Sequence, residues 1–448
     1  MLQRSLAQPL MRLNSTCDLA RMGSLHLLSN LHFYIYHGYP LHLYAVGFII
    51  YKLELFMKQS RAQPVQISNT LVSIIALCCG LIVANIYYAQ PIIELLAPDV
   101  GLSAHSASFI VSLTQIGYAM GLFFLVPLAD LVENKRLMLI TLAITFLSLI
   151  GAGLAQSPSV MLLLCLLVGA SSVSVQVLIP LAAHLSSDEK RGQVLGNIMA
   201  GLLLGILLAR PVASLIADHF GWRAVFYFAA GCMAFIASVI YFAIPSRQPT
   251  HNTTYFKLLK SLKQLIIQQP VLRQRALYQA LMFASFSLFW TSVPVVLARE
   301  YGLSQSQIAL FALVGAAGAI AAPIVGRLAD KGYTHQLSLL AKVIAAACFL
   351  PSIFELPHGI IILSLTGMFI DFAVQANMVL GQRVVYSLEP QSRARLNAIY
   401  MTSIFVGGAL GSLMASPLYE AGGWESVALV AAGMPVISLV GYLMTSKK

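Results

Sequence analysis

From residue 71 onward the chain alternates between long apolar runs and short polar loops. The runs are 71–93, 107–128, 137–155, 160–184, 194–217, 222–244, 276–298, 307–328, 337–355, 359–385, 398–419 and 425–445. A helix of about 20 residues crosses a ~30 Å hydrocarbon core, and every run reaches that length within a residue. None shows strand-like alternation, and lipid offers no partner to an unpaired backbone group. The pattern therefore predicts an all-α membrane protein with twelve spanning helices, numbered here 1 to 12 in chain order.

Composition agrees. Of 448 residues, 58% are hydrophobic and 10% charged, against about 25% charged in soluble domains. So few charges cannot cover a soluble fold of this length, which excludes an ordinary cytosolic enzyme, a disordered chain and a secreted module. The net charge of +11 is spread through short loops rather than gathered on one water-facing patch, so it speaks for membrane topology and against a nucleic-acid partner.

The loops also predict orientation. With both ends on one side of an even number of spans, that side collects nineteen Lys and Arg, from Lys58 to Lys448, and the other side two, Arg223 and Arg299. Basic residues favour the cytoplasmic side, so both termini are expected in the cytoplasm of a multi-pass plasma-membrane protein. Five of the six cysteines lie inside apolar runs without metal-ligand spacing, and read as small core side chains.

The longest cytoplasmic segment, 245–275, divides six spans from six. Within it Leu258, Leu259, Leu262 and Leu265 form one helical stripe with Lys257, Lys260 and Lys263 off it. This predicts an amphipathic helix at the bilayer surface, the alternative being a plain linker. The domain reading is an extension and leader over 1–67, a helical bundle over 68–244, the linker, and a second bundle over 276–448. The halves repeat: Gly101-Leu102-Ser103 returns as Gly302-Leu303-Ser304, Leu128-Ala129-Asp130 as Leu328-Ala329-Asp330, and Gly221-Trp222 as Gly423-Trp424. Gly201 and Gly205 in span 5 are matched by Gly407 and Gly411 in span 11. Two pseudo-symmetric six-helix bundles with a solute site between them are the expected architecture.

On these residues the chain resembles the major facilitator superfamily over about residues 68–446. The loop Pro127-Leu128-Ala129-Asp130-Leu131-Val132-Glu133-Asn134-Lys135-Arg136 is similar to that family's G-x-L-A-D-x-x-G-R-K/R signature, departing at Pro127 and at Glu133-Asn134. Gly326-Arg327-Leu328-Ala329-Asp330 keeps its core. Span 5 is similar to the glycine-proline signature of drug-efflux branches, but carries Ala209-Arg210 where glycine would precede Pro211. The nearest branch is the bacterial twelve-span efflux permeases of the arabinose-efflux and drug-efflux kind. The resemblance implies an inner-membrane monomer whose spans 1, 4, 7 and 10 line a central cavity. It also implies a gating role for Asp130 and Asp330, with Lys135, Arg136 and Arg327 in the same loops.

Residues 1–56 fall outside the repeat pattern. The run Leu41–Tyr51 is too short to span, and a thirteenth span would place Arg4, Arg12 and Arg21 outside, against the charge rule. The readings are an interfacial anchor, a partly disordered extension, or a natural start at Met57; the last is expected.

Sixteen acids occur, and Asp371 alone lies at the centre of a span, about 18 Å from the outer end of span 10 at ~1.5 Å per residue. Holding a charge there costs at least about 2.5–3.5 kcal/mol unless a partner or water receives it. A carboxyl in that place suits proton coupling; the alternative is a structural acid bonded to neighbouring helices. Candidate solute contacts are Asn85, Tyr88 and Gln90 on span 1, Gln176 on span 4, Gln279 and Trp290 on span 7, and Gln375 and Asn377 on span 10. Amide, hydroxyl and aromatic groups suit a neutral, amphipathic or weakly cationic solute, though each also serves helix packing. Arg210, the one arginine inside a span core, binds an anionic group, pairs with a carboxylate or snorkels outward. Facing the cavity, it would admit an organic anion.

No nucleotide-binding, hydrolase or metal motif is present, so neither an enzyme nor a cofactor is expected. The expected function is proton-coupled export of a small organic solute by alternating access, with the solute, protons and the lipid bilayer as partners. Proton-coupled or facilitated uptake of a sugar or organic acid is the alternative within transport, and a non-transporting receptor or scaffold the one outside it.

Overall fold

A computed structural model describes residues 68–187, 190–248, 254–353, 359–389 and 392–446. The extension over 1–67, including the expected start at Met57, lies outside them. Among the described residues the chain is helical with no strands. Nine helices among the described residues are long and apolar enough to cross a membrane. One of these, Arg393–Ser446, contains two spans divided at Gly422 and Gly423, where Gly423 turns to φ +62°. Two further spans fall short of that length because they are broken: span 1 and span 8. The count is then the twelve of the sequence pattern.

The breaks have local causes. Span 1 starts at Asn69, where the Ser68 hydroxyl accepts from the Leu71 amide at 3.1 Å. It runs to Ala84, unwinds through 85–92, and is followed by a short helix Ile93–Asp99. An uninterrupted span over 71–93 is therefore corrected. Pro91 has no N–H to offer and clashes with the carbonyl four residues back, so the chain takes tight turns such as Tyr87 N to Ala84 O at 2.9 Å. Span 8 opens with a reciprocal cap between Ser304 and Gln307 and passes from Gln305–Ala312 into Ala316–Asp330. Span 7 is Pro270–Arg299 and so begins six residues before the sequence boundary; proline is at home in a first helical turn.

The repeat seen in the sequence is a repeat in space. Gly101 and Gly302 both take left-handed φ, +78° and +66°, as do Gly221 and Gly423, +80° and +62°. Span 5 (Arg191–Phe220) meets span 1 where Gly201 and Gly205 face the backbone of Ala76 and Gly80. Span 11 meets span 7 where Gly407 and Gly411 face the carbonyls of Ala280 and Ala284. None of these four glycines has room for a Cβ, the close approach that small residues permit between membrane helices. The linker helix, Tyr255–Gln268, buries Leu262 and Leu265, half-buries Leu258 and Leu259, and exposes Lys257, Lys260 and Lys263. Tyr255 donates to the Phe124 carbonyl at 2.9 Å, tying the linker to span 2.

An even number of spans leaves residue 69 and residue 446 on one face, called here the terminal face. The halves are sewn together on the opposite face and at mid-depth. Ser108 bonds Ser416 and Leu413, Ser112 donates to the Ala409 carbonyl at 2.8 Å, and Gln115 donates to Ser287 at 3.3 Å. Span 5 shows the consequence. Its terminal-face half, 191–206, buries only Val194 and Ile198, whereas 207–217 buries Ala209, Arg210, Pro211, Ala213, Ser214 and Ala217. Among the described residues the hydrogen bonds that join the two halves lie on the opposite face and at mid-depth.

Candidate functional site

At mid-depth the unwound part of span 1 brings Gln90 to span 5. Arg210 Nε donates to Gln90 Oε1 at 2.8 Å, and both side chains are buried. The guanidinium lies over the Trp290 ring at 4.2 Å, with Tyr87 at 5.2 Å and Phe286 at 5.4 Å. Cation–π contacts of this kind gain strength when desolvated. Trp290 in turn donates from Nε1 to Asp371 Oδ1 at 2.9 Å. Asp371, 6% exposed, fills space left by two glycines of span 8: a Cβ on Gly315 would meet its Oδ2 at 2.6 Å, and one on Gly318 its Cβ at 3.3 Å.

Four sequence candidates, Gln90, Arg210, Trp290 and Asp371, thus form one cluster on the seam between the halves. Arg210 and Asp371 do not touch: no ion pair within 4 Å joins them among the described residues. The indole stands between, stacked on the cation and bonded to the anion, and each charge still acts on the other. Arg210 does not snorkel. Pro211 and Ala209 beside it are buried too, and the aromatic rings replace the water it gave up.

The remaining candidates fall elsewhere. Asn85 turns from the seam toward span 6, donating to Met233 Sδ at 3.3 Å, and Tyr88 lies by Cys232 on the same span. Gln176 is half-buried and donates to the Tyr118 hydroxyl at 3.3 Å, and the Tyr118 ring packs on Phe405 of span 11 at 4.5 Å. Gln375 is half-buried. Gln279 and Asn377 form a second polar cluster within the C-terminal half: Asn377 Nδ2 donates to Gln279 Oε1 at 2.5 Å, and Gln279 Nε2 to the Val374 carbonyl at 3.2 Å. Its centre is Lys342, a fully buried lysine of span 9. Nζ donates to Asn377 Oδ1 at 2.6 Å and to the Ser338 carbonyl at 3.1 Å, beneath the Tyr442 ring at 4.5 Å.

In the loops of the terminal face, Asp330 pairs with Arg383 of span 10. Asp130, Arg136 and Arg327 are exposed, and Lys135 lies over Tyr241 at 5.4 Å. Among the described residues neither Lys135 nor Arg136 ion-pairs with Asp130.

On the opposite face the structure assembles a seal that sequence reading missed. Arg299, ending span 7, donates to both oxygens of Glu94 at 2.7 and 3.1 Å and to Glu420 at 2.7 Å. Asp218 accepts from Ser306 across the same seam. No motif marks these residues, and Glu94 and Arg299 are 205 positions apart.

A helical membrane protein of two repeated halves, closed on one face around a mid-depth polar cluster, is built as a transporter. The major facilitator superfamily family model matches residues 73–385 and 275–448, and the chain belongs to that family. It is 41% identical over 382 residues to the uncharacterized transporter YgaY of Escherichia coli, covering 84% of this chain and 95% of the relative. It is 24% identical over 376 residues to the multidrug resistance protein MdtG of Salmonella arizonae, covering 81% and 92%. A crystal structure of the nucleoside transporter NupG shares the fold at a TM-score of 0.68 and 15% identity, over 83% of this chain and 98% of that one. The chain is a membrane-spanning transporter of small molecules rather than an enzyme.

Proposed function

We propose that this chain is a proton-coupled secondary transporter of a small organic solute, working by alternating access, with Asp371 as the group that takes up and releases the proton. One observation carries the proposal. Asp371 sits on the seam in the C-terminal half, and its hydrogen bond to Trp290 links it to the Arg210 cation of the N-terminal half. A change of its charge therefore alters an interaction between the two bodies that must move, and a proton shifts the access equilibrium only through such a differential interaction. With the terminal face cytoplasmic, as the loop charges favour, the structure is the inward-facing state.

Export in exchange for protons is one direction, supported by the similarity to MdtG. Uptake of a solute together with a proton is the other, supported by the buried Arg210 cation. Everted vesicles separate them: in export by exchange, solute dissipates a proton gradient and accumulates inside. Asp371→Asn, expressed at the parent level, is expected to lose the coupling in either direction. Full proton-coupled transport by that variant would remove Asp371 from the role.

A further inference from the structure

The proton-carrying reading leaves a buried cation incompletely matched. Arg210 is 3% exposed and has no carboxylate within 4 Å among the described residues. Its Nε is engaged by Gln90 Oε1, but its Nη2 is buried without a hydrogen-bond partner, and so is Gln90 Nε2. Two donor groups that already bond each other thus retain unused donors beside the rings of Tyr87, Phe286 and Trp290. Burying a donor without an acceptor is unfavourable, and the Asp371 counter-charge stands behind the Trp290 indole rather than against the guanidinium. A planar guanidinium beside a primary amide is a carboxylate-binding donor set, and three aromatic faces suit an apolar body attached to it.

We propose that Arg210 and Gln90 bind the carboxylate of an organic acid with an aromatic or aliphatic body, and that this anion binds together with a proton on Asp371. A charge count explains the linkage. With Asp371 ionised and no ligand, Arg210 is balanced across Trp290. With Asp371 protonated and a carboxylate bound, Arg210 is balanced by the ligand. The two mixed states leave one unbalanced charge at mid-membrane and are disfavoured. Proton and anion therefore raise each other's affinity, and the coupling is reciprocal. The groups facing Asp371 are Arg210 from span 5, Tyr87 from span 1, Trp290 from span 7 and two glycines from span 8. Tyr118 of span 2 adjoins Tyr87. Arg210 is the one cation among them. The inference rests on Asp371 carrying the proton, and it favours joint movement of solute and proton over exchange.

The test uses the purified full-length protein in nanodiscs, with benzoate, phenylacetate, hexanoate and succinate against their amides and the corresponding amines. Binding is followed by thermal shift and tryptophan emission near pH 6 and pH 8. At least one carboxylate is expected to bind while its amide and amine do not, and more tightly at the lower pH. Arg210→Gln should weaken it at least about tenfold, and Arg210→Lys should retain part of the affinity. Asp371→Asn, neutral at every pH, should bind it equally well at both. If Arg210→Gln does not fold, Gln90→Ala carries the same expectation of weakened binding. The proposal is overturned if no carboxylate binds, if amides bind as well, or if both Arg210 and Gln90 variants bind like the parent. Carboxylate binding that depends on Arg210 but not on pH overturns the joint binding and places the fault in the Asp371 reading. Asp371-dependent coupling to a neutral or cationic solute overturns the anion site and leaves that reading standing.

Discussion

The Arg299 seal should set how often the opposite face opens. Only its link to Glu94 crosses between the halves; Glu420 belongs to the same half as Arg299 and holds the guanidinium in place. The three side chains are 37%, 21% and 36% exposed. Exposed ion pairs contribute about 0.2–1 kcal/mol, and the two-point contact with Glu94 puts this one near the upper end, about 1 kcal/mol. The pair exists only in the closed state. Glu94→Gln should therefore lower the ratio of closed to open about fivefold. Arg299→Ala should lower it further, because it leaves Glu94 and Glu420 facing each other without a cation whenever the face closes. The other ties, at Ser108, Ser112, Gln115 and Asp218, remain, so neither variant should unfold.

Ser287 reports the opening. It is fully buried on the seam beside Gln115. In a background with the native cysteines replaced, Ser287→Cys would react with a membrane-impermeant maleimide added at the opposite face only when that face opens. The expected result is about a fivefold faster reaction in Glu94→Gln, a larger gain in Arg299→Ala, and acceleration of the parent by salt, which screens exposed pairs. Unchanged rates in both variants would refute the reasoning, because they would mean that the seam holds without the ion pair.

Two further outcomes follow from packing and from charge. Gly411→Val, set against the Ala284 carbonyl, should cost about 1–3 kcal/mol by overpacking and lower the melting temperature by several degrees, while Gly433→Ala, inside a helix with nothing near its Cβ, should not lower it, alanine being the better helix former. Asp99 accepts from Trp222 Nε1 at 2.9 Å and Arg223 Nη1 at 2.8 Å, and these donors hold its carboxyl below the usual range. A lowered value in the folded state means stabilisation that is present above the unfolded value and lost only as pH falls through the folded one. The melting difference between the parent and Asp99→Asn should therefore be constant from about pH 5 to 8; a difference that drifts in that window contradicts the assignment.

What the sequence made legible is what period and repetition encode. Run length gave the spans, and the glycine pairs of spans 5 and 11 recurred at places where helices touch in the structure. The break in span 1 lies next to Pro91, but the run over 71–93 reads as continuous, because an apolar run carries no mark of where its backbone bonds fail. The side-chain partners of Arg210, Lys342 and Arg299 lie on other elements, 35 to 205 residues away. Such pairings depend on how helices are rotated against each other, which hydrophobicity fixes poorly in a bundle whose outer surface is also apolar.

The repeat also shows where to look for chemistry. Aligning Gly201 and Gly205 with Gly407 and Gly411 places Arg210 opposite Ser416. The two positions are reached by the same device, a helix held against its neighbour by glycines, and both stand on the seam. In the C-terminal copy the device delivers a hydroxyl that accepts from the Ser108 amide at 3.0 Å and helps close the opposite face. In the N-terminal copy it delivers a guanidinium to Trp290 and, through it, to Asp371. A symmetric scaffold can rock between two equivalent arrangements. Under the coupling proposed above, the positions where the halves depart from each other, Arg210 first among them, are where such a frame would acquire its dependence on protons and solute.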